Sequence, residues 1–295
     1  MILEDINKEL KEIYSSLMLK YSEIPIKAEE MAEDRERELL AGRNILTFPY
    51  LLQINGNLLE HYKRIMVFGQ ESNGWGDKEF RTKKDIIDFP KDKLYPSIIG
   101  GDNISECIDN LQMCLMALYN YHNLYDFAIC DRNPYGPFYR DIKEHSLKCG
   151  YTLIRNNIAK IGYLYDHKNK FNELFGEKNG RNYGKYRNNL DLNLEFIEYI
   201  IKEIELINPD IIIFLTGPEW NYRNLMMKLL SKFDNSFNEK YLNDNKPNKK
   251  SPVNELNPIS INGRQVRMLW SYHPNGDSQQ RLLPMLKDRY EELIK

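Results

Sequence analysis

The sequence has few thiols, few histidines, almost no net charge and no long apolar run. Its four cysteines, Cys107, Cys114, Cys130 and Cys149, form no Cys-x-x-Cys pair. Cys107 and Cys114 fall seven apart, on one face of an expected helix, where a buried thiol is the ordinary role. No metal and no cofactor is expected. The five histidines are also thinly spread. Four sit in polar stretches, and the fifth, His273, closes a strand-like run. No apolar run approaches the ~18 residues of a membrane span; Ile211 to Leu215 reads as a buried strand. Met1 to Lys20 mixes Glu, Asp and Lys with Leu and Ile, unlike a secretory leader. The expectation is a cytoplasmic protein without a membrane partner. Lys and Arg number 41 against 43 Asp and Glu, a net −2. That excludes a globally basic nucleic-acid binder, but not a local basic groove.

What is present is an alternation of strand-like and helix-like segments. In 1–60, Leu3, Ile6, Leu10, Ile13 and Leu17 recur at helical spacing, so this part reads as a helical extension. The run Arg64-Ile-Met-Val-Phe68 ends at Gly69 and reads as a buried parallel strand. A helix is expected from about Asn103 or Ser105 to His122, and another from Phe138 to Lys148. Tyr151 to Ile154 is a second strand, leading into Arg155-Asn156-Asn157. Leu192 to Ile207 is helical in period, stopped by Asn208-Pro209. Asp210 to Thr216 is a strand, Asn221 to Lys232 a helix, and Val266 to Tyr272 a strand after an Asn262-Gly263 turn. A last helix starts at Gly276 or Ser278 and runs to Lys295. Residues 77–102, 166–190 and 233–258 are polar and read as insertions or loops.

This order predicts one α/β domain over 61–295, with a central, mostly parallel sheet covered by helices on both faces. In such sheets ligands bind beyond the carboxyl ends of the strands. The loops at Gln70–Gly76, Asn156–Asn157 and His273–Asn275 are then expected to converge. The first, Gly69-Gln-Glu-Ser-Asn-Gly-Trp-Gly76, follows a strand as phosphate-binding loops do. It fits neither Gly-x-Gly-x-x-Gly nor the Walker pattern, so a nucleoside triphosphate site is not expected. It offers a carboxylate at Glu71, amides at Gln70 and Asn73, and an aromatic at Trp75. In the last, Pro274 restrains His273, whose imidazole can donate to developing negative charge, unless it is a satisfied core histidine.

Taken in order, these loops resemble the uracil-DNA glycosylase superfamily. The family's first motif is a strand followed by Gly-Gln-Asp-Pro-Tyr-His or a variant; Gly69-Gln70-Glu71-Ser72-Asn73 stands in its place. The family's His-Pro-Ser after the last strand is matched by His273-Pro274-Asn275. Its Pro-Asp-apolar-Gly strand is similar to Pro209-Asp210-Ile-Ile-Ile-Phe-Leu-Thr-Gly217, and its base-reading Asn to Asn156 or Asn157. The resemblance spans roughly residues 60–295. It implies a three-layer α/β/α fold around a four-stranded sheet, and hydrolysis of an N-glycosidic bond in DNA.

Such chemistry builds positive charge on the sugar and negative charge on the leaving base. The resemblance then implies that Glu71 stabilises the sugar cation and positions water, and that His273 donates to the base oxygen. Asn156 or Asn157, with Gln70 and Asn73, would read an extruded base, and Phe138 or Trp75 would stack on it. Arg155, Lys160, Asn275 and Ser278 would contact the nucleic acid. The departures are Ser72, where the family has Pro, and the polar Asn275-Gly276-Asp277-Ser278, where Asp277 would repel phosphate. They leave open a protein of the same fold that binds nucleic acid or a free nucleobase without cleaving it. An unrelated flavodoxin-like domain is the third reading. Lys78, Arg81, Lys83, Lys84, Arg132, Arg140 and Lys143 adjoin the motif loops, as do Arg181, Lys185 and Arg187 among Tyr183 and Tyr186. Such mixtures suit single-strand contacts. A monomer is expected.

Overall fold

The computed structural model describes residues 63–70, 148–160, 193–272 and 279–294, together with residues 6, 8–10, 12–14, 16, 17 and 52. The insertions at 77–102 and 166–190 lie outside the described residues, as do the helix expected near 103–122 and nearly all of that expected at 138–148.

Five strands form one sheet in the order β2-β1-β3-β5-β4. They are β1 (Lys63–Gly69), β2 (Tyr151–Asn157), β3 (Ile211–Phe214), β4 (Val253–Ile261) and β5 (Arg264–Ser271). The β1–β2, β1–β3 and β3–β5 pairings are parallel, while β4 runs antiparallel to β5. The sheet is therefore mixed and five-stranded, where a mostly parallel four-stranded sheet was expected. The added strand begins within 233–258, which composition marked as loop, and runs on to Ile261. Its burial alternates in part, with Val253, Leu256, Ile259 and Ile261 facing inward. Asn and Pro hid that alternation. Pro258 is tolerated because β4 is an edge strand, with its register broken between Leu256 and Ile259. The Asn262-Gly263 turn joins β4 to β5 as expected. Both its residues have positive φ, 48° and 77°, as a tight hairpin turn demands.

The helices are α1 (Ile197–Ile207), α2 (Trp220–Leu230), α3 (Glu239–Asp244) and α4 (Gln279–Ile294). Helix α1 stops where Asn208 takes the left-handed conformation, φ 49°, ahead of Pro209. Alternation along each strand sorts side chains onto two faces. Met66, Phe68, Ile154, Ile212, Phe214, Met268 and Trp270 join one core with α1, α2 and the helical residues Ile6, Leu10, Tyr14 and Leu17. Phe68 and Phe214 stack there at 5.2 Å. Ile65, Val67, Ile211, Ile213 and Leu269 join a second core with Leu286, Tyr290 and Leu293 of α4. No described helix is long and apolar enough to cross a membrane.

The Pro209-Asp210 element lies at the amino-terminal edge of this sheet. The Asp210 carboxylate accepts the Arg64 backbone N–H at 2.8 Å and pairs with the Arg264 guanidinium. Its own N–H donates to the Arg64 carbonyl at 2.8 Å. Asp210 thus ties β1, β3 and β5 together at the end remote from the loops expected to carry the chemistry. Burial lowers the Arg64 pKa, with Asp210 opposing and Arg264 adding to that effect.

Candidate functional site

The connection from β1 leads to β2 on one side, and β3 then lies on the other side of β1. Such a reversal opens a crevice at the carboxyl ends of the strands. Gln70 stands at its mouth, directly after β1. Its carboxamide Nε2 donates to the Thr216 carbonyl at 2.8 Å, so it spans the gap between β1 and β3. Beyond the strands proper, Ile158 N–H donates to the Gly69 carbonyl at 3.0 Å and Ala159 N–H to the Gln70 carbonyl at 2.9 Å. The Gln70 backbone is held from one side and its side chain from the other.

The third wall is equally constrained. Gly217, at φ 68°, donates its N–H to the Ser271 carbonyl at 2.9 Å. The Trp270 indole N–H is shared between Thr216 Oγ1 at 3.1 Å and the Gly217 carbonyl at 3.2 Å. The Thr216 hydroxyl donates on to Met226 Sδ at 3.1 Å. The rim after β3 is therefore welded to β5 and α2.

Strand alternation decides between the two asparagines. Strand β2 continues to Asn157, three residues past the expected end, and pairs Asn156 with Phe68 and Asn157 with Gly69. Asn156 shares the α1 face with Ile154, and is fully buried. Its Nδ2 donates to Glu203 Oε2 at 2.9 Å. Its Oδ1 accepts from Lys160 Nζ at 2.8 Å and from the Asn157 N–H at 2.8 Å. Both ends of the Asn156 carboxamide are spent inside the protein. One step along the strand reverses the side chain. The Asn157 Oδ1 lies over Gly69 so closely that a Cβ there would come within 2.6 Å of it. No described residue hydrogen-bonds the Asn157 carboxamide.

Lys160, expected at the nucleic acid, is instead completely buried. Its ammonium lies 2.7 Å from each Glu203 oxygen. Glu203, on the buried stripe of α1, also accepts the Tyr14 hydroxyl at 2.6 Å, and that hydroxyl in turn accepts the Leu52 N–H at 2.7 Å. Burial pushes the Lys160 pKa below the ordinary lysine range, and Glu203 partly offsets this. The group is an internal clamp joining β2, α1 and the N-terminal helical residues. In sequence it looked like one more cation beside a motif; an acidic partner 43 residues away is invisible to a local reading.

Glu71, Asn73, Trp75, Phe138, His273, Asn275 and Ser278 lie outside the described residues, and of Arg155 only the backbone in β2 is described. Glu71 is the residue after Gln70, and His273 the residue after Tyr272, where β5 has just ended. Cys149 is exposed, while Cys107 and Cys114, expected as buried thiols, lie outside the described residues. Among the described residues no group of three or more His, Cys, Asp or Glu is placed to hold a metal ion. What the fold defines is an α/β protein whose mixed sheet reverses its strand order at β1, with Gln70 and Asn157 at the carboxyl ends of β1 and β2. No family model, no curated protein and no solved structure matches the chain.

Proposed function

We propose that this protein is a hydrolase of the uracil-DNA glycosylase type, acting on the N-glycosidic bond of a base in DNA, with a three-layer domain over 61–295. The observation that supports it best is the pairing of Gln70 and Asn157 at the crevice beside β1. Both are amides at the carboxyl ends of paired strands, and Glu71 and His273 stand in sequence two residues after the ends of β1 and β5. Asn157 offers one donor and one acceptor group, as the polar edge of a pyrimidine requires. Glu71 stabilises the sugar cation and positions water; His273 donates to the departing base. Glu71 is one methylene longer than the family's Asp, so it reaches further for the same water.

The test is an oligonucleotide carrying uracil, with abasic-site formation as readout. Wild type is expected to produce abasic sites. Glu71→Gln and His273→Ala are each expected to lose about 10²- to 10³-fold, the scale of removing one transition-state partner. No abasic product on single- or double-stranded uracil DNA, with binding retained, sinks the enzyme reading. It would favour a non-cleaving binder of the same fold, the reading that Ser72 and the polar loop after Pro274 support.

A further inference from the structure

Trp220 is the exposed large hydrophobic residue of the described chain, with 56% of its surface open to solvent. It is the first residue of α2, four residues after the Thr216 carbonyl that Gln70 binds. It lines a groove of about 230 Å³ between α2 and α3, together with Arg223, Asn224, Met227, Lys228 and Glu239. That volume is below the range of about 300–1,000 Å³ that encloses a drug-sized ligand. It suits a single base or sugar of something larger that continues beyond it.

The charges are the second observation. Lys232, one turn beyond Lys228, faces Glu198 at 2.9 Å, while Arg264, Arg267 and Arg289 face Asp210, Glu255 and Glu292. Among the described residues no carboxylate pairs with Arg223 or Lys228. Arg223 makes one long contact, 3.4 Å, to the Pro218 carbonyl, and its remaining N–H groups are available. An open indole beside two unneutralised cations is the pairing that takes a base by stacking and its phosphates by charge. Glu239 on the α3 wall repels phosphate and so directs it to the α2 side.

We propose that this groove binds single-stranded nucleic acid, one base stacked on Trp220 and the adjoining phosphates at Arg223 and Lys228. Resting on the glycosylase reading, it extends the crevice into a track for the strand that flanks the target base. Stacking is indifferent to base identity, so the track holds the strand without specifying sequence.

The experiment is binding of a labelled oligothymidylate, which carries no uracil, followed by anisotropy across a salt series. Trp220→Ala is expected to weaken binding about 5- to 150-fold, the 1–3 kcal/mol of one stacked base. Arg223→Gln and Lys228→Gln are each expected to lower the salt slope by about 0.7. Glu239→Gln is expected to tighten binding. Trp220 is half open, so its thermal midpoint should stay near that of wild type, which separates lost stacking from lost fold. Wild type that does not bind at low salt, or Trp220→Ala that binds like wild type, overturns the groove. Uracil cleavage by Trp220→Ala with an unchanged KM overturns it too, and leaves the glycosylase reading standing. Oligothymidylate binding that depends on Trp220, without abasic product, upholds the groove and sinks the glycosylase.

Discussion

Removing both halves of the Lys160–Glu203 pair should cost less than the two single removals summed. The two groups are completely buried at 2.7 Å, and an uncompensated buried charge costs about 3–5 kcal/mol. The two single losses are not equal. In Lys160→Met the Glu203 carboxylate keeps two donors, the Tyr14 hydroxyl and the Asn156 amide. In Glu203→Leu the ammonium keeps the Asn156 carbonyl oxygen but loses both carboxylate oxygens. Lys160→Met should fall near ~3 kcal/mol and Glu203→Leu near ~5. The double variant buries no charge. It strands the Tyr14 and Asn156 donors, at ~1–3 kcal/mol each, so it should cost ~2–6 kcal/mol against a sum of ~8. Urea denaturation followed by circular dichroism measures all three. Additivity within ~0.5 kcal/mol, or single losses below ~1, would refute the clamp.

The pH dependence follows from the same pair. Burial holds the Lys160 pKa below its ordinary 10.5 in the folded state. Between that lowered value and about 10.5 the unfolded chain binds more protons than the folded one, so this group makes stability rise with pH across that window and contributes no slope below it. The difference between wild type and Lys160→Met, titrated by urea from neutral pH to about 10.5, should show this rise; a difference that falls with pH would contradict it. Gly69→Ala should push the Asn157 carboxamide away, because the new Cβ meets its Oδ1 at 2.6 Å. Binding of free uracil should drop by more than about tenfold, on the scale by which a ~1 Å misplacement acts, and unchanged affinity by calorimetry would remove Asn157 from the site. Tyr14→Phe removes the hydroxyl between Glu203 and the Leu52 N–H and should cost ~1–3 kcal/mol; a loss under ~0.5 in urea would separate the N-terminal residues from the clamp. Asp210→Asn weakens its pairing with Arg264 at the far edge of the sheet, so it should lower stability while leaving the KM for uracil DNA unchanged.

Periodicity made the parallel strands, the helices after them and the Asn262-Gly263 turn legible, because each is set by local spacing and turn chemistry. The stop at Asn208-Pro209 is local in the same way, a left-handed residue ahead of a ring that cannot continue a helix. Ordered short motifs raised the glycosylase resemblance. The edge strand β4 escaped because its alternation is diluted by Asn and Pro, and only pairing with β5 makes those residues a strand. The roles of Asn156, Asn157 and Lys160 also needed the assembled fold. Nothing in Arg155-Asn156-Asn157 says where β2 ends, yet that strand's alternation decides which amide faces α1 and which lies over Gly69. Likewise Lys160 becomes an internal ion only when α1 crosses the sheet and brings Glu203 to it. Spacing along the chain therefore determined the parallel strands and the helices between them, but not the edge strand β4. Contacts between segments distant in sequence, which bury both asparagines but engage the carboxamide of only one of them among the described residues, decided what each polar residue can do.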